Sequence, residues 1–264
     1  MRVANAQLPP IQDSDDKIFT TPHAVIMLDG ASAFVPVPVP ANTYADRLGK
    51  HLRDSLQAWP DADLRATLAG AIYNTARQLN LTPGQSPSST VTIARELDGH
   101  LDLLVLGDNL VVLPDETITD ERMDQLDLAP RRKYQERLAA GAGYDDEHRA
   151  ILRELQTQQA ERRNRQGGYW IAEADPDAAS HAITTRRPIN ETPWAVLSTD
   201  GAYNTMQHLG LNDWPSLVNA SAEQLDAELA RCQDWEATGD PDASELPRAK
   251  RHDDKSLAAI TFTI

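Results

Sequence analysis

The chain has 264 residues, 41% apolar and 25% charged, enough for a sizeable core in one large domain or two small ones. Asp and Glu outnumber Lys and Arg by 40 to 25, and the formal charge of −15 repels nucleic-acid backbones and anionic membranes while favouring divalent cations. The one cysteine, Cys232, excludes an intramolecular disulfide and a cysteine zinc cluster, and no apolar run of about 18 residues offers a membrane span.

Residues 1–10 lack the basic head and apolar body of a secretion signal, so a reducing, cytoplasmic location is the default expectation. Residues 3–8 read as a short first strand. After an acidic stretch around Asp13, Asp15 and Asp16, strands are expected over 17–20 and 24–28, joined by a tight turn at Thr21-Pro22-His23. The second runs straight into Asp29-Gly30. Alternating Val and Pro over 35–40 rule out a central strand, because proline has no N–H for the ladder. Leu48, Leu52, Leu56 and Trp59 give a helix over about 44–59, capped by Asn42 or Thr43. A second helix is expected over 61–79, with Leu64, Leu68, Ile72 and Leu79 on one side.

Residues 89–96 and 100–106 are β-rich, and the Asp98-Gly99 between them is a hairpin turn. Gly107-Asp108-Asn109 then predicts a second hairpin into 110–113. Residues 115–166 are polar and helical in pattern, including 147–165, and Gly167-Gly168 ends the run. A short helix is expected over 176–182 and an apolar strand over 193–198, leading into Thr199-Asp200-Gly201. Helices over about 201–209, 213–219 and 222–235, a polar loop and a last strand over 256–264 complete the chain. Strands neighbouring in sequence are joined by hairpins, so the sheets should be mainly antiparallel, with helices layered against them.

Asp29, Asp108 and Asp200 each stand at the end of a predicted strand, while Asp16 and Asp253 stand just before one. Strand ends along one rim bring distant residues onto rigid supports. Carboxylates converging there repel, and hard divalent ions such as Mg²⁺ or Mn²⁺ relieve that repulsion through oxygen ligands. A single Asp-Gly is usually just a turn, as at Asp98-Gly99. Only the ordered set of acids carries weight.

That set resembles the metal-dependent Ser/Thr protein phosphatases of type 2C, the PPM family, as a divergent bacterial-like member. The family order is an acidic triplet, an apolar strand into Asp-Gly, a Thr-led strand, Gly-Asp-Ser, an apolar strand into Ser/Thr-Asp-Gly, and Asp-Asn before the last strand. Here it reads Ser14-Asp15-Asp16, Val25-Ile26-Met27-Leu28-Asp29-Gly30, Ser89-Thr90-Val91-Thr92, Gly107-Asp108-Asn109, Ser198-Thr199-Asp200-Gly201 and Asp253-Asp254-Lys255-Ser256.

The resemblance implies an α+β fold, a four-layer α/β/β/α sandwich of two mainly antiparallel sheets flanked by helices. It implies a single domain over 1–264 with a variable flap or helical insertion at about 115–192. It also implies a phosphoserine/phosphothreonine protein phosphatase that uses a water bridging two Mn²⁺ or Mg²⁺ ions. Asp29 would bridge both ions and the Gly30 carbonyl would bind one. Asp200 and Asp253 would hold the other, and Asp16 would act through bound waters with Asp15 beside it. Asp108 matches a third, weaker site, whose usual aspartate partner is here Asn204, a poorer ligand. The glycine-rich run that usually follows the first Asp-Gly is Ala31-Ser32-Ala33-Phe34, and the usual phosphate-binding arginine is Ile11. Arg186-Arg187 and Arg162-Arg163-Arg165 are the substitute candidates, weighed against plain solvated surface. The expected partner is a phosphorylated protein. The alternative is a catalytically weak or inactive phosphatase-like regulatory or binding module. The dispersed histidines offer no zinc pair, and no P-loop, serine-hydrolase elbow or dinucleotide fingerprint is present.

Overall fold

The computed structural model describes residues 1–263; the expected strand end at residue 264 lies outside them. Its strands are β1 (Arg2–Leu8), β2 (Lys17–Thr20), β3 (Ala24–Leu28), β4 (Val91–Leu97), β5 (His100–Leu106), β6 (Leu110–Val112), β7 (Thr117–Ile118), β8 (Ile183–Pro188), β9 (Trp194–Ser198) and β10 (Lys255–Thr261). They form two five-stranded sheets, in the orders β1-β10-β9-β6-β7 and β2-β3-β4-β5-β8. Every pairing between these strands is antiparallel. The helices are α1 (Ala41–Ala58), α2 (Leu64–Leu79), α3 (Ala129–Ala139), α4 (Asp146–Ala160), α5 (Asp200–His208), α6 (Trp214–Leu217) and α7 (Ala222–Thr238), with a 3-10 turn over Pro176–His181.

The layering follows from side-chain alternation along strands buried on both faces. In β3, Ala24, Ile26 and Leu28 face α1 and α2, where they pack with Leu48, Leu52, Leu68 and Ile72. Val25 and Met27 face the other way and meet Ala195, Leu197, Ala258 and Ile260 of the second sheet. Val196, Leu257 and Ala259 in turn pack on Met206, Leu225 and Leu229 of α5 and α7. The result is the expected α/β/β/α sandwich. The helical hairpin α3–α4 stands apart on its own small core of Tyr134, Leu138, Ile151, Leu152 and Leu155.

Several expectations are corrected. Gly107-Asp108-Asn109 is a crossover: β5 pairs with β4 and β8, whereas β6 pairs with β7 and β9 in the other sheet. Gly107 makes this passage at φ 89°, tight against Thr90, where a Cβ would come within 2.8 Å of the threonine methyl. Strand β8 lies in a stretch to which the sequence pattern assigns no element. Helix α1 begins at Ala41 after Pro40 and has no side-chain cap, so neither Asn42 nor Thr43 caps it. Helix α2 starts at Leu64, where Asp63 accepts from the Ala66 amide.

Candidate active site

The aspartates singled out by the sequence meet at one rim of the sandwich. Asp29 leaves the end of β3, and its backbone is fixed to the start of β4: its N–H donates to Thr90 Oγ1 (3.0 Å) and its carbonyl accepts from the Thr90 amide (2.9 Å). Asp200 opens α5 directly after β9. Asp16 immediately precedes β2, and its Oδ2 accepts from Thr199 Oγ1 (2.8 Å), which itself accepts from the Ser256 amide (2.9 Å). One buried hydroxyl therefore joins the first acidic motif, the second Asp-Gly and the last strand. The Asp254 carboxylate closes the ring by accepting from Ser14 Oγ (3.1 Å) and from the Asp15 amide.

The two Asp-Gly glycines are required by close approach. A Cβ on Gly201 would lie 2.1 Å from the Asp254 carbonyl oxygen and 2.9 Å from Asp253 Cβ. On Gly30 it would lie 2.7 Å from the Asp15 carbonyl oxygen. Each glycine lets its aspartate stand against another acidic motif. Asp98-Gly99, with φ of 50° and 72°, is the hairpin turn expected of it.

Asp29, Asp108, Asp200 and Asp253 line a cleft of about 510 Å³ beneath the α3–α4 hairpin. Asp16 is closed off behind them. The electrostatics express the crowding. Burial, and then Asp16, Asp200, Asp253 and Asp108, hold the Asp29 carboxyl well above its ordinary range. Burial pushes Asp16 up to about 8, with Thr199 opposing and Asp253 adding to the shift. Burial and Asp200 push Asp108 up to about 7. Burial and Asp253 push Asp200 up to about 6.

Among the described residues, no three His, Cys, Asp or Glu side chains are placed so that they would hold a metal ion as they stand. Lys250 Nζ lies 2.5 Å from Asp253 Oδ1, so one of the acids is already paired with a cation. The donor set nevertheless suits a hard divalent cation. It is all oxygen, it is strongly short of positive charge, and Asp16 Oδ1 is buried with no hydrogen-bond partner.

The other candidates separate. Asn204 is exposed but reaches the cleft, near Tyr203, whose hydroxyl donates to the Asp108 carbonyl (3.2 Å). Arg186 and Arg187 do not reach it. They face Asp102 and Leu101 in β5 and pair with Asp102 (3.4 Å) and with Glu116. From Leu101 to Leu106 the strand runs about 17 Å, so both arginines sit at the far end of the sheet from Asp108. Arg163 is spent on Tyr169 and the Ser86 carbonyl, and Arg162 on the Gln158 carbonyl. Ile11 is 40% exposed.

Three features of the site carry no local sequence signal. Lys250 lines the cleft from the α7–β10 loop. Burial lowers the affinity of its amine for a proton, but the charge and hydrogen bond of Asp253, and then Asp29, outweigh that and raise it. Gln156 of α4 ties the hairpin to the loop after Gly30, accepting from the Phe34 (2.6 Å) and Val35 (2.8 Å) amides and donating to the Ser32 carbonyl (3.1 Å). Behind the cleft, buried Glu236 accepts from Lys255 Nζ (2.8 Å) and Thr205 Oγ1 (2.8 Å).

No family model matches the sequence, and none of the curated proteins matches it. Solved structures do. The serine/threonine phosphatase Stp1 from Staphylococcus aureus superposes with a TM-score of 0.59 at 11% identity, over 100% of this chain and 95% of its own. The PPM Ser-Thr phosphatase MsPP from Mycobacterium smegmatis gives 0.52 at 14% identity, over 100% and 99%. The catalytic domain of the serine threonine protein phosphatase PstP, solved with two manganese ions, gives 0.52 at 12%, over 97% and 96%. The chain has the PPM phosphatase fold. In a PPM-fold chain of this divergence the layers are shared, and what the rim does depends on its own side chains. No helix of the described residues is long and apolar enough to cross a membrane.

Proposed function

We propose that the chain is a metal-dependent phosphoserine/phosphothreonine protein phosphatase. The observation that carries this is the convergence of Asp29, Asp108, Asp200 and Asp253 on one cleft with Asp16 buried behind them, where burial and mutual repulsion raise Asp16, Asp29, Asp108 and Asp200. Such a cluster is costly for the fold and is put to use only when cations enter it. Asp29, the Gly30 carbonyl, Asp200 and Asp253 would hold two Mn²⁺ or Mg²⁺ ions, with Asp16 supporting them from behind. Bound divalent ions would supply a lowered water pKa and positive charge against the phosphoryl oxygens.

The chain's own residues do the rest. Thr199 holds Asp16 to the start of β10, so the two acidic motifs keep a fixed spacing. Thr90 fixes the Asp29 backbone. The hairpin, anchored through Gln156, walls the cleft and limits water. Its mixed lining, with Phe34, Tyr134 and Leu152 beside the acids, suits a phosphorylated side chain on a peptide. The single buried Cys232 accords with a reducing, cytoplasmic setting. A third ion at Asp108 and Asn204 would be held less tightly than the other two, because a neutral amide is a poorer ligand than a carboxylate.

A second reading, a weak or inactive regulatory module of the same fold, is favoured by the Lys250–Asp253 ion pair and by Asn204. Hydrolysis of p-nitrophenyl phosphate and of a phosphothreonine peptide separates the two. The phosphatase reading expects Mn²⁺-dependent turnover that EDTA abolishes and that Asp29→Ala or Asp200→Ala lowers at least 100-fold. Absence of any Mn²⁺-dependent turnover in the intact protein sinks it.

A further inference from the structure

Three cationic side chains line the cleft: Arg131, Arg248 and Lys250. Arg248 is spent on the loop itself. Its guanidinium donates to the Asp240 carboxylate (2.7 Å) and to the carbonyls of Arg251 (2.9 Å), Leu246 (3.1 Å), Asp240 (2.6 Å) and Glu236 (3.3 Å). Arg131 is tied by one amino group to the Met123 carbonyl (3.1 Å) and Asp124 (3.2 Å), on the hairpin side. Lys250 differs from both. Its ammonium pairs with one side chain, Asp253, which lines the cleft together with Asp29, Asp108 and Asp200.

The loop that carries Lys250 is held from outside. Tyr144 Oη donates to the Lys250 carbonyl (3.0 Å), and His148 Nε2 meets the Ala249 carbonyl at 2.9 Å. The Ala249 side chain packs into the hairpin core. With Ala249 turned into the hairpin and the carbonyls taken by Tyr144 and His148, the neighbouring Lys250 side chain is directed at the acidic rim.

We infer that Lys250, held in place by Tyr144 and His148, is the cation that binds the phosphoryl oxygens of the substrate. The inference rests on the phosphatase reading and supplies the anchor that Ile11, Arg186 and Arg187 do not. A lysine suits the task as a compact point charge on a flexible stem, able to keep Asp253 with one N–H while offering others to an oxyanion.

The test uses the full chain with Mn²⁺ and inorganic phosphate as the calorimetric probe, beside p-nitrophenyl phosphate kinetics. Lys250→Met should weaken phosphate binding and raise KM by about tenfold or more, the loss of a charge-assisted hydrogen bond, while Mn²⁺ binds no more weakly. Lys250→Arg should recover most of the affinity. Tyr144→Phe, which leaves the ammonium in place but loosens the loop, should raise KM several-fold with kcat nearly unchanged. Unchanged phosphate binding in Lys250→Met overturns the inference. So does a variant that binds Mn²⁺ more tightly with phosphate unaffected, since the ammonium would then be only a counter-ion for Asp253. So does an intact protein that binds no phosphate. Lysine-dependent phosphate binding without any hydrolysis would keep the anchor and remove the phosphatase reading instead.

Discussion

Gly201→Ala tests whether the second Asp-Gly is a site or a turn. Gly201 lies in the first turn of α5, where alanine's helix propensity alone would add up to about 1 kcal/mol of stability. Against this, the new Cβ would lie 2.1 Å from the Asp254 carbonyl oxygen and 2.9 Å from Asp253 Cβ. Ordinary contact begins at about 3.5 Å, so α5 and the start of β10 must part by more than about 1 Å. Overpacking of this kind costs about 1–3 kcal/mol, which cancels or exceeds the propensity gain. The greater effect falls on the site, because the helix start carries Asp200 and the strand approach carries Asp253. A misplacement of about 1 Å is expected to lower hydrolysis about 100-fold, and Mn²⁺ affinity with it. Gly70→Ala is the internal control. That glycine sits in α2, and a methyl added there would meet nothing within 4 Å. The same substitution should therefore stabilise by up to about 1 kcal/mol and leave activity alone. Thermal melts and Mn²⁺ calorimetry on both variants decide the matter. A Gly201→Ala protein as stable as Gly70→Ala, with full Mn²⁺ affinity and turnover, would show the second Asp-Gly to be only a turn.

Thr199→Val removes the hydroxyl shared by Asp16 and the Ser256 amide without changing shape, leaving two buried groups short of a partner. It should cost about 2–4 kcal/mol in denaturant unfolding, with Thr199→Ser restoring most of it, and a loss under about 0.5 kcal/mol would contradict the bridging role. The pH dependence of the metal-free protein has a definite sign. Asp16, Asp108 and Asp200 hold protons up to about 8, 7 and 6, whereas the unfolded chain releases them near 3.8. The unfolded state therefore binds fewer protons across that window, and stability falls as pH rises from about 4 to 8. The Asp145 carboxyl, held down to about 2 chiefly by Arg137, acts only below it. Melting temperature should drop over that range in EDTA, drop less in Asp16→Asn, and recover with Mn²⁺; a flat or rising profile in EDTA would be inconsistent with a buried acidic centre.

Many of the strands are legible because they carry strong local signals, while their stacking as a four-layer sandwich is what the family resemblance implies. Strands β2 and β3 fall where the pattern placed them, since β-rich runs end at a Thr-Pro turn and at Asp-Gly. The crossover at Gly107-Asp108-Asn109 was not legible, because the same turn chemistry serves a hairpin and a change of sheet. What separates them is Thr90, far away in sequence, lying under Gly107. Strand β8 was hidden by composition. Its Ile183-Thr184-Thr185 start is β-branched, but Arg186 and Arg187 gave it the look of solvated chain. As an edge strand it carries charge on purpose, since paired arginines blunt its free hydrogen-bonding groups.

The acids of the site and its cation show why one kind of residue can be read from sequence and the other cannot. Asp29, Asp108 and Asp200 each stand at a strand end, a property of the few residues around them, and strand ends of one sandwich share a rim. Lys250 belongs to an irregular loop whose path is set by Tyr144 and His148 on a separate helical hairpin. No local pattern encodes that. The arginines the sequence offers as candidates, weighed against plain solvated surface, include Arg186 and Arg187, which pair with Asp102 and Glu116. Arg186 and Arg187 sit opposite Asp102 and Leu101, at the far end of the sheet from the acids, whereas the Lys250 ammonium lies among carboxylates whose negative charge favours its protonated form. The acidic cluster thus selects its own anchor: of the cations that line the cleft, Arg248 is consumed by its own loop and Arg131 is drawn by one amino group to Met123 and Asp124, whereas Lys250 meets Asp253 at the rim itself.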